Sequence, residues 1–265
     1  MGEIIELKSP AEIEVMQEGG AILSEVMGIL LSNVDIGVEM LELDRLAESE
    51  IKKRGGAPSF KLVQDYKWTI CACVNDIVVH GIPTGYKAQL NDVIGLDLGV
   101  YFKGFHTDSS WSVRVGKKKG KKEEEIDKFL KTGRVALDKA INEVKVGNYI
   151  YDVSKAIEST VTSRGYSIVK GLIGHGVGRQ LHEAPEVPGF VRGKRENSVK
   201  IENGLTIAVE IIYNLGNPDV VYNKGDGWTI ATKDGKLSGL FETTVAATNH
   251  GVILLSEKYG PPGDN

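Results

Sequence analysis

Residues 34–55 of this chain align with residues 144–165 at a constant offset of 110, without a gap. Such self-similarity constrains the fold more than any other feature, because it asks for two halves of like structure. Six pairs are identical: Val34/Val144, Gly37/Gly147, Glu48/Glu158, Ser49/Ser159, Arg54/Arg164 and Gly55/Gly165. Apolar positions agree at Ile36/Val146, Leu43/Val153, Ala47/Ile157 and Ile51/Val161. Unrelated segments of this length share roughly one or two identities.

The rest of the chain reads the same way. Ser9-Pro10-Ala11-Glu12 is a capping box with proline at the first helical position. Ile13, Met16, Leu23, Val26, Met27 and Leu30 continue it at helical spacing. A second helix is expected over about 39–54, stopping at Arg54-Gly55-Gly56. From about 69 to 115, β-branched runs punctuated by glycine predict strands. Helical spacing returns over 123–144 and 151–164, and strands and loops follow from 167. Helix–helix–sheet thus occurs twice. The expectation is one α+β catalytic domain over 1–265, with halves of about 1–116 and 123–250, helices packed on antiparallel sheet, and a cleft between.

Composition excludes several classes. Hydrophobic residues at 41% and charged residues at 26% suit a folded core. No apolar run approaches the ~20 residues of a membrane helix. Met1-Gly2-Glu3 opens no leader pattern, so a cytoplasmic protein is expected. A net charge of −4 gives no global attraction to nucleic acid or membrane. Cys71 and Cys73 lie on one face of an expected strand and read as small buried hydrophobes. Lys117–Glu125, KKKGKKEEE, reads as a solvated loop entering a helix; its alternative use is a basic patch for RNA.

The chemistry lies in acids placed where strands should be apolar. In Val93–Val100, Ile94, Leu96, Leu98 and Val100 share the core face, which leaves Asp97 on the other. Taking Tyr101-Phe102-Lys103-Gly104 as a four-residue connection, Asp108 is expected directly opposite Asp97. Glu210 stands within Ile207-Ala208-Val209-Glu210-Ile211-Ile212, and Glu242 follows Gly239-Leu240-Phe241. Ionised carboxylates there are costly unless paired or coordinated. A salt bridge would explain any one of them, yet no Lys or Arg occurs in 93–99, 105–112, 206–212 or 237–246. His175, in Gly174-His175-Gly176-Val177-Gly178, has flanking glycines that leave room around its ring. Two Asp, two Glu and a neutral His total −4, which two divalent cations cancel, with Mn, Fe, Co or Zn suited to such donors. Gly174-x-Gly176-x-Gly178 is no dinucleotide fingerprint, since Pro185 and Pro188 follow where a helix is needed. His182-Glu183 lacks the second histidine of a zincin helix.

With these residues in view, the chain resembles the type I methionine aminopeptidases. The likeness rests on Asn75-Asp76-x3-His80-Gly81-Ile82-Pro83, the Asp97/Asp108 pair, Gly174–Gly178 with His182-Glu183-x-Pro185, Glu210, and Asp226-Gly227-Trp228-Thr229 before Glu242. It implies the pita-bread fold, two pseudo-symmetric halves with helices packed on a curved antiparallel sheet. It implies a dinuclear metallo-aminopeptidase that removes initiator methionine ahead of a small second residue. Asp97 would chelate one metal, Asp108 and Glu242 would bridge, and His175 and Glu210 would complete the second. Glu210 would carry the proton, His182 would stabilise the tetrahedral intermediate, and His80 would contact the scissile amide. His106 is a candidate support for a ligand, and His250 reads as an ordinary loop residue.

The methionine pocket would be formed by Phe60, Val63, Tyr66, Cys71 and Trp228 together with His80 and His182. Lys67 stands where the family has a proline, and Val63 and Leu181 replace aromatic residues. The expected partners are nascent polypeptide N-termini, with a transient ribosome contact at Lys117–Lys122, no membrane, and a monomeric state. Proline-specific relatives carry a long N-terminal domain, for which His80 leaves too little room. Type II methionine enzymes carry an insertion between the last two glutamates, which are only 32 residues apart here. A metal-free binding module would have lost ligands, and all five are present.

Overall fold

The computed structural model describes residues 4–223 and 225–259, so the reading of Met1-Gly2-Glu3 lies outside the described residues. Among the described residues there are four α-helices: α1 (Pro10–Ser32), α2 (Met40–Lys53), α3 (Lys121–Ile141) and α4 (Ile150–Thr162). The strands of the first half are β1 (Ala57–Pro58), β2 (Ile70–Val74), β3 (Ile77–Val79), β4 (Val93–Phe102) and β5 (Phe105–Arg114). Those of the second are β6 (Ser167–Ile168), β7 (Gly174–Gly176), β8 (Glu183–Val187), β9 (Thr206–Asn214), β10 (Val220–Tyr222), β11 (Ile230–Thr232), β12 (Ser238–Thr248) and β13 (Gly251–Leu254). No helix among the described residues is long and apolar enough to cross a membrane.

The principal sheet runs β1-β4-β5-β12-β9-β7-β8, with β2 also on β4, β6 on β9 and β13 on β12. Strands β10, β11 and β3 form a second, three-stranded sheet. The repeat seen in the sequence is a repeat of structure. Helices α2 and α4 begin 110 residues apart, each with a capping box. Gly37 and Gly147 turn at φ 90 and 98, and Gly55 and Gly165 at φ 80 and 81. These are left-handed conformations that a side chain resists, hence the shared glycines. Strand β1 pairs with the end of β4 as β6 pairs with the end of β9. The halves join where β5 meets β12.

Each long strand alternates. Ile94, Leu96, Leu98 and Val100 enter the core beneath the helices, with Trp111, Phe129, Tyr213 and Phe241. The acids stand on the opposite face. One expectation fails here: β4 and β5 join through a two-residue turn, with Phe102 paired to Phe105. Lys103 and Gly104 have φ 47 and 95, the double positive φ of the turn that suits strand twist. The register therefore places Ser110 opposite Asp97 and Gly99 opposite Asp108, so the aspartates are diagonal neighbours. The slip is two residues, so the face on which they lie is unchanged.

Helix α1 approaches the chain just beyond β13 closely at Gly20, where an added Cβ would stand 1.5 Å from the Leu255 carbonyl oxygen. Backbone cannot rotate away as a side chain can. Alanine gains ~1 kcal/mol of helix propensity, but the clash costs more. Gly20→Ala is expected to lose a net ~2 kcal/mol and several degrees of Tm by calorimetry. An unchanged or raised Tm would contradict this packing.

Candidate metal centre

Strand register assembles the acidic cluster from remote parts of the chain. One row crosses the sheet from Cys71 through Asp97, Ser110 and Glu242 to Glu210, each paired with the next. Asp97 and Glu210 occupy matching places in the two halves, on β4 and β9. Asp108 and His175 stand in the neighbouring row. The Asp108 N–H donates to the Thr244 hydroxyl, Thr244 pairs with Ala208, and Ala208 with His175. Same-face rows are ~7 Å apart and strands ~4.8 Å, and all five side chains line one cavity. Donor atoms of Asp108, His175 and Glu242 lie within 4.8 Å of one another.

The electrostatics of this cluster are unfavourable without a cation. Burial pushes Asp108 up to about 7. Burial and then repulsion from Asp108 push Glu210 up to about 8. Asp97 and Glu242 are raised well above the carboxylate range, first by burial and then by the other acids. His175 Nε2 lies 3.9 Å from Glu242 Oε1, yet burial holds this imidazole neutral, down to about 3. Asp97 Oδ1 is buried without a hydrogen-bond partner. An orphaned carboxylate oxygen, three further acids and a neutral imidazole are a donor set that fits divalent cations.

The glycines beside His175 serve the backbone more than the ring. A Cβ at Gly174 would lie 2.5 Å from Ala208 O, and one at Gly176 2.2 Å from Ala184 O. They let β7 fit between β8 and β9. The imidazole is held by its Nδ1, 2.8 Å from Gly176 O.

A cavity of about 550 Å³ opens over the cluster, and the twelve residues assigned above to metal, catalysis or the methionine pocket all line it. Asp97, Asp108, His175, Glu210 and Glu242 form its floor. Phe60, Val63, Tyr66, Cys71 and Trp228 form an apolar wall, with Leu181 packed against them. Tyr66 holds this wall together edge-on, its ring centroid 6.2 Å from Phe60 and 5.1 Å from Trp228. Its hydroxyl donates to the Ile70 carbonyl and approaches Cys71 Sγ at 3.2 Å.

His80 and His182 occupy the sides. His80 has φ 54, a conformation rare for a residue with a side chain, and packs 6.4 Å from the Trp228 ring. The His182 ring lies 4.3 Å from that of His175. Partial desolvation lowers the basicity of His80, which is half-buried, and of His182, which is exposed at the cavity mouth.

His106 does not line the cavity; its Nδ1 is 2.9 Å from Ser59 Oγ and its ring packs on Tyr101. His250 is exposed in a loop, and Lys117–Lys119 are exposed ahead of α3. Cys71 and Cys73 are both free and buried. Lining residues not singled out beforehand include Val79, Leu172, Ile173, Glu186 and Ile212. Ile212, two residues beyond Glu210 on the same strand face, was the most readable of these.

A buried polycarboxylate centre with one imidazole at the base of an apolar pocket defines a metal-dependent hydrolase. The profile of metallopeptidase family M24 matches residues 14–249, and the chain belongs to that family. It is 37% identical over 253 residues to a methionine aminopeptidase of Clostridium perfringens, covering 96% of this chain and 99% of that one. The crystal structure of a methionine aminopeptidase from Thermotoga maritima superposes with a TM-score of 0.90 at 32% identity, covering 96% of this chain and all of that one. A prolidase from Pyrococcus furiosus, 18% identical, shares the fold with a TM-score of 0.75; 96% of this chain matches 66% of the prolidase. The family and its relatives make this a divalent-metal exopeptidase of the pita-bread fold.

Proposed function

We propose that this chain, working as a single catalytic domain over residues 1–265, is a methionine aminopeptidase. It cleaves the first peptide bond of nascent polypeptides that begin with methionine and a small second residue. The observation that carries the reading is the single cavity in which an apolar wall, two neutral histidines and the acidic floor meet. The wall of Tyr66, Trp228, Phe60, Val63 and Cys71 suits an unbranched thioether.

Two divalent ions, from among Mn, Fe, Co and Zn, would be held by Asp97, Asp108, His175, Glu210 and Glu242. When bound, they supply Lewis acidity, lowering the pKa of water and polarising the scissile carbonyl. Glu210 takes the proton of the attacking water and returns it to the departing amine. His182 donates its N–H to the carbonyl oxygen as negative charge develops there. His80 contacts the scissile amide and, with the 171–174 loop, confines the residue beyond it. In this reading the enzyme is a cytoplasmic monomer, and the exposed run Lys117–Lys122 is available for transient ribosome contact.

Met-X-Gly-Met tetrapeptides test this. With X = Gly, Ala or Ser, hydrolysis is expected; with X = Leu or Lys, kcat/KM should be ~100-fold lower, because a bulky side chain displaces the carbonyl. Equal efficiency for Ala and Leu would remove the small-residue claim. Preference for Ala-Pro over Met-Ala would favour the prolidase-like alternative.

A further inference from the structure

Residues Val177–Glu183 carry His182 into the cavity, yet between Val177 and β8 the loop has no strand ladder. The His106 N–H of β5 fixes its start, donating to Gly178 O at 2.7 Å, and an ion pair with the N-terminal arm holds its far end. Lys8 Nζ lies 2.5 Å from Glu183 Oε2, with side-chain exposures of only 2% and 9%. The same ammonium donates to Glu6 O at 2.8 Å. The second oxygen of Glu183 accepts the Gln180 N–H at 2.9 Å, and the Gly178 N–H closes onto Gln180 O at 3.0 Å. One carboxylate, adjacent to His182, thus ties the loop to itself and to the N-terminal arm.

The arm is equally anchored. Lys8 N–H donates to Gly204 O at 2.7 Å. A Cβ at Gly178 would fall 2.2 Å from Lys8 Cε, so the loop packs directly on the lysine stem. A second, more exposed pair joins Arg179 to Glu12 in the first turn of α1. Without the Lys8 charge, Glu183 becomes a buried unpaired carboxylate, which favours withdrawal toward water. Any such movement displaces the neighbouring residue, His182.

We propose that Lys8 is a positioning residue for catalysis, fixing through Glu183 the loop that presents His182. The inference rests on the role given to His182 above, and its test separates the two. Five proteins are compared on Met-Ala-Gly-Met at saturating metal: wild type, K8M, H182A, K8M/H182A and K8M/E183Q. Displacing a catalytic donor by about an ångström costs ~10- to 100-fold in rate. K8M is expected to lose ~10- to 100-fold in kcat with KM changed less than about threefold. In the H182A background the same substitution should cost less than about threefold, because the group it positions is gone. K8M/E183Q, which leaves no unpaired buried charge and so protects folding, should remain slow in the His182 background.

Hydrogen exchange supplies a readout independent of activity. The Gly178 and Gln180 amides should exchange at least ~10-fold faster in K8M and in K8M/E183Q. Equal costs of K8M with and without His182, or unchanged exchange in the 178–182 segment, would overturn the proposal. A wild-type protein inactive on every methionyl peptide would sink the functional reading instead, leaving the brace to be judged by exchange alone.

Discussion

Metal-stripped protein is expected to lose hydrolysis of Met-Ala peptides altogether and to become less stable as pH rises from about 5 to about 8. In the unfolded chain Asp and Glu titrate near ~4. In the fold, burial holds Asp108 at about 7 and Glu210 at about 8, and burial with mutual repulsion takes Asp97 and Glu242 higher. Between these limits the folded state binds more protons than the unfolded one, so stability falls with rising pH. Below ~4 both states are protonated and the difference vanishes. Each unit of displacement is worth ~1.4 kcal/mol, so the loss across the window is on the order of several kcal/mol. Calorimetry of chelated protein across that range should show Tm falling, and Mn or Co should restore both Tm and turnover. A pH-independent Tm for the stripped protein, or full turnover by it, would contradict the carboxylate centre.

Glu210→Gln is expected to lower kcat by ~10²- to 10⁴-fold with a small change in KM. The amide has nearly the carboxylate's size, and the ladder of β9 with β12 is made by backbone, so the strand register survives. What is lost is a group that can accept a proton from water and hand it to the leaving amine. Glutamine also removes one negative charge from the centre, so metal content must be measured beside the rate. A variant that stays slow at full metal occupancy supports the proton carrier. Recovery to within about tenfold of wild type at high metal would show that Glu210 serves as a ligand alone.

Helix starts and strand faces were legible because each depends on residues a few positions apart. The Ser9 box forms as written, with Ser9 N–H donating to Glu12 Oε2 at 2.7 Å. The period of two placed Asp97 and Asp108 on the face away from Ile94 and Leu96 whatever the register. The repeat at offset 110 announced two halves, since matching turns require matching left-handed glycines at 37/147 and 55/165.

Register was not legible, because it depended on Lys103 adopting a positive φ, a choice stabilised by the twist of the completed sheet. The equivalence of Asp97 and Glu210 was hidden as well: 57 and 167 keep the offset of 110, but loops of unequal length stretch it to 113 by the time the strands pair. Least visible was the pairing of Lys8 with Glu183, 175 residues apart. Their spacing along the chain carries no signal. Sequence alone thus determined which residues had to leave the core and which faces they would take. The tertiary structure decided which of them meet, because only the closing of the two halves at β5 and β12 brings four acids and an imidazole around a single cavity, with Lys8 paired to Glu183 behind it.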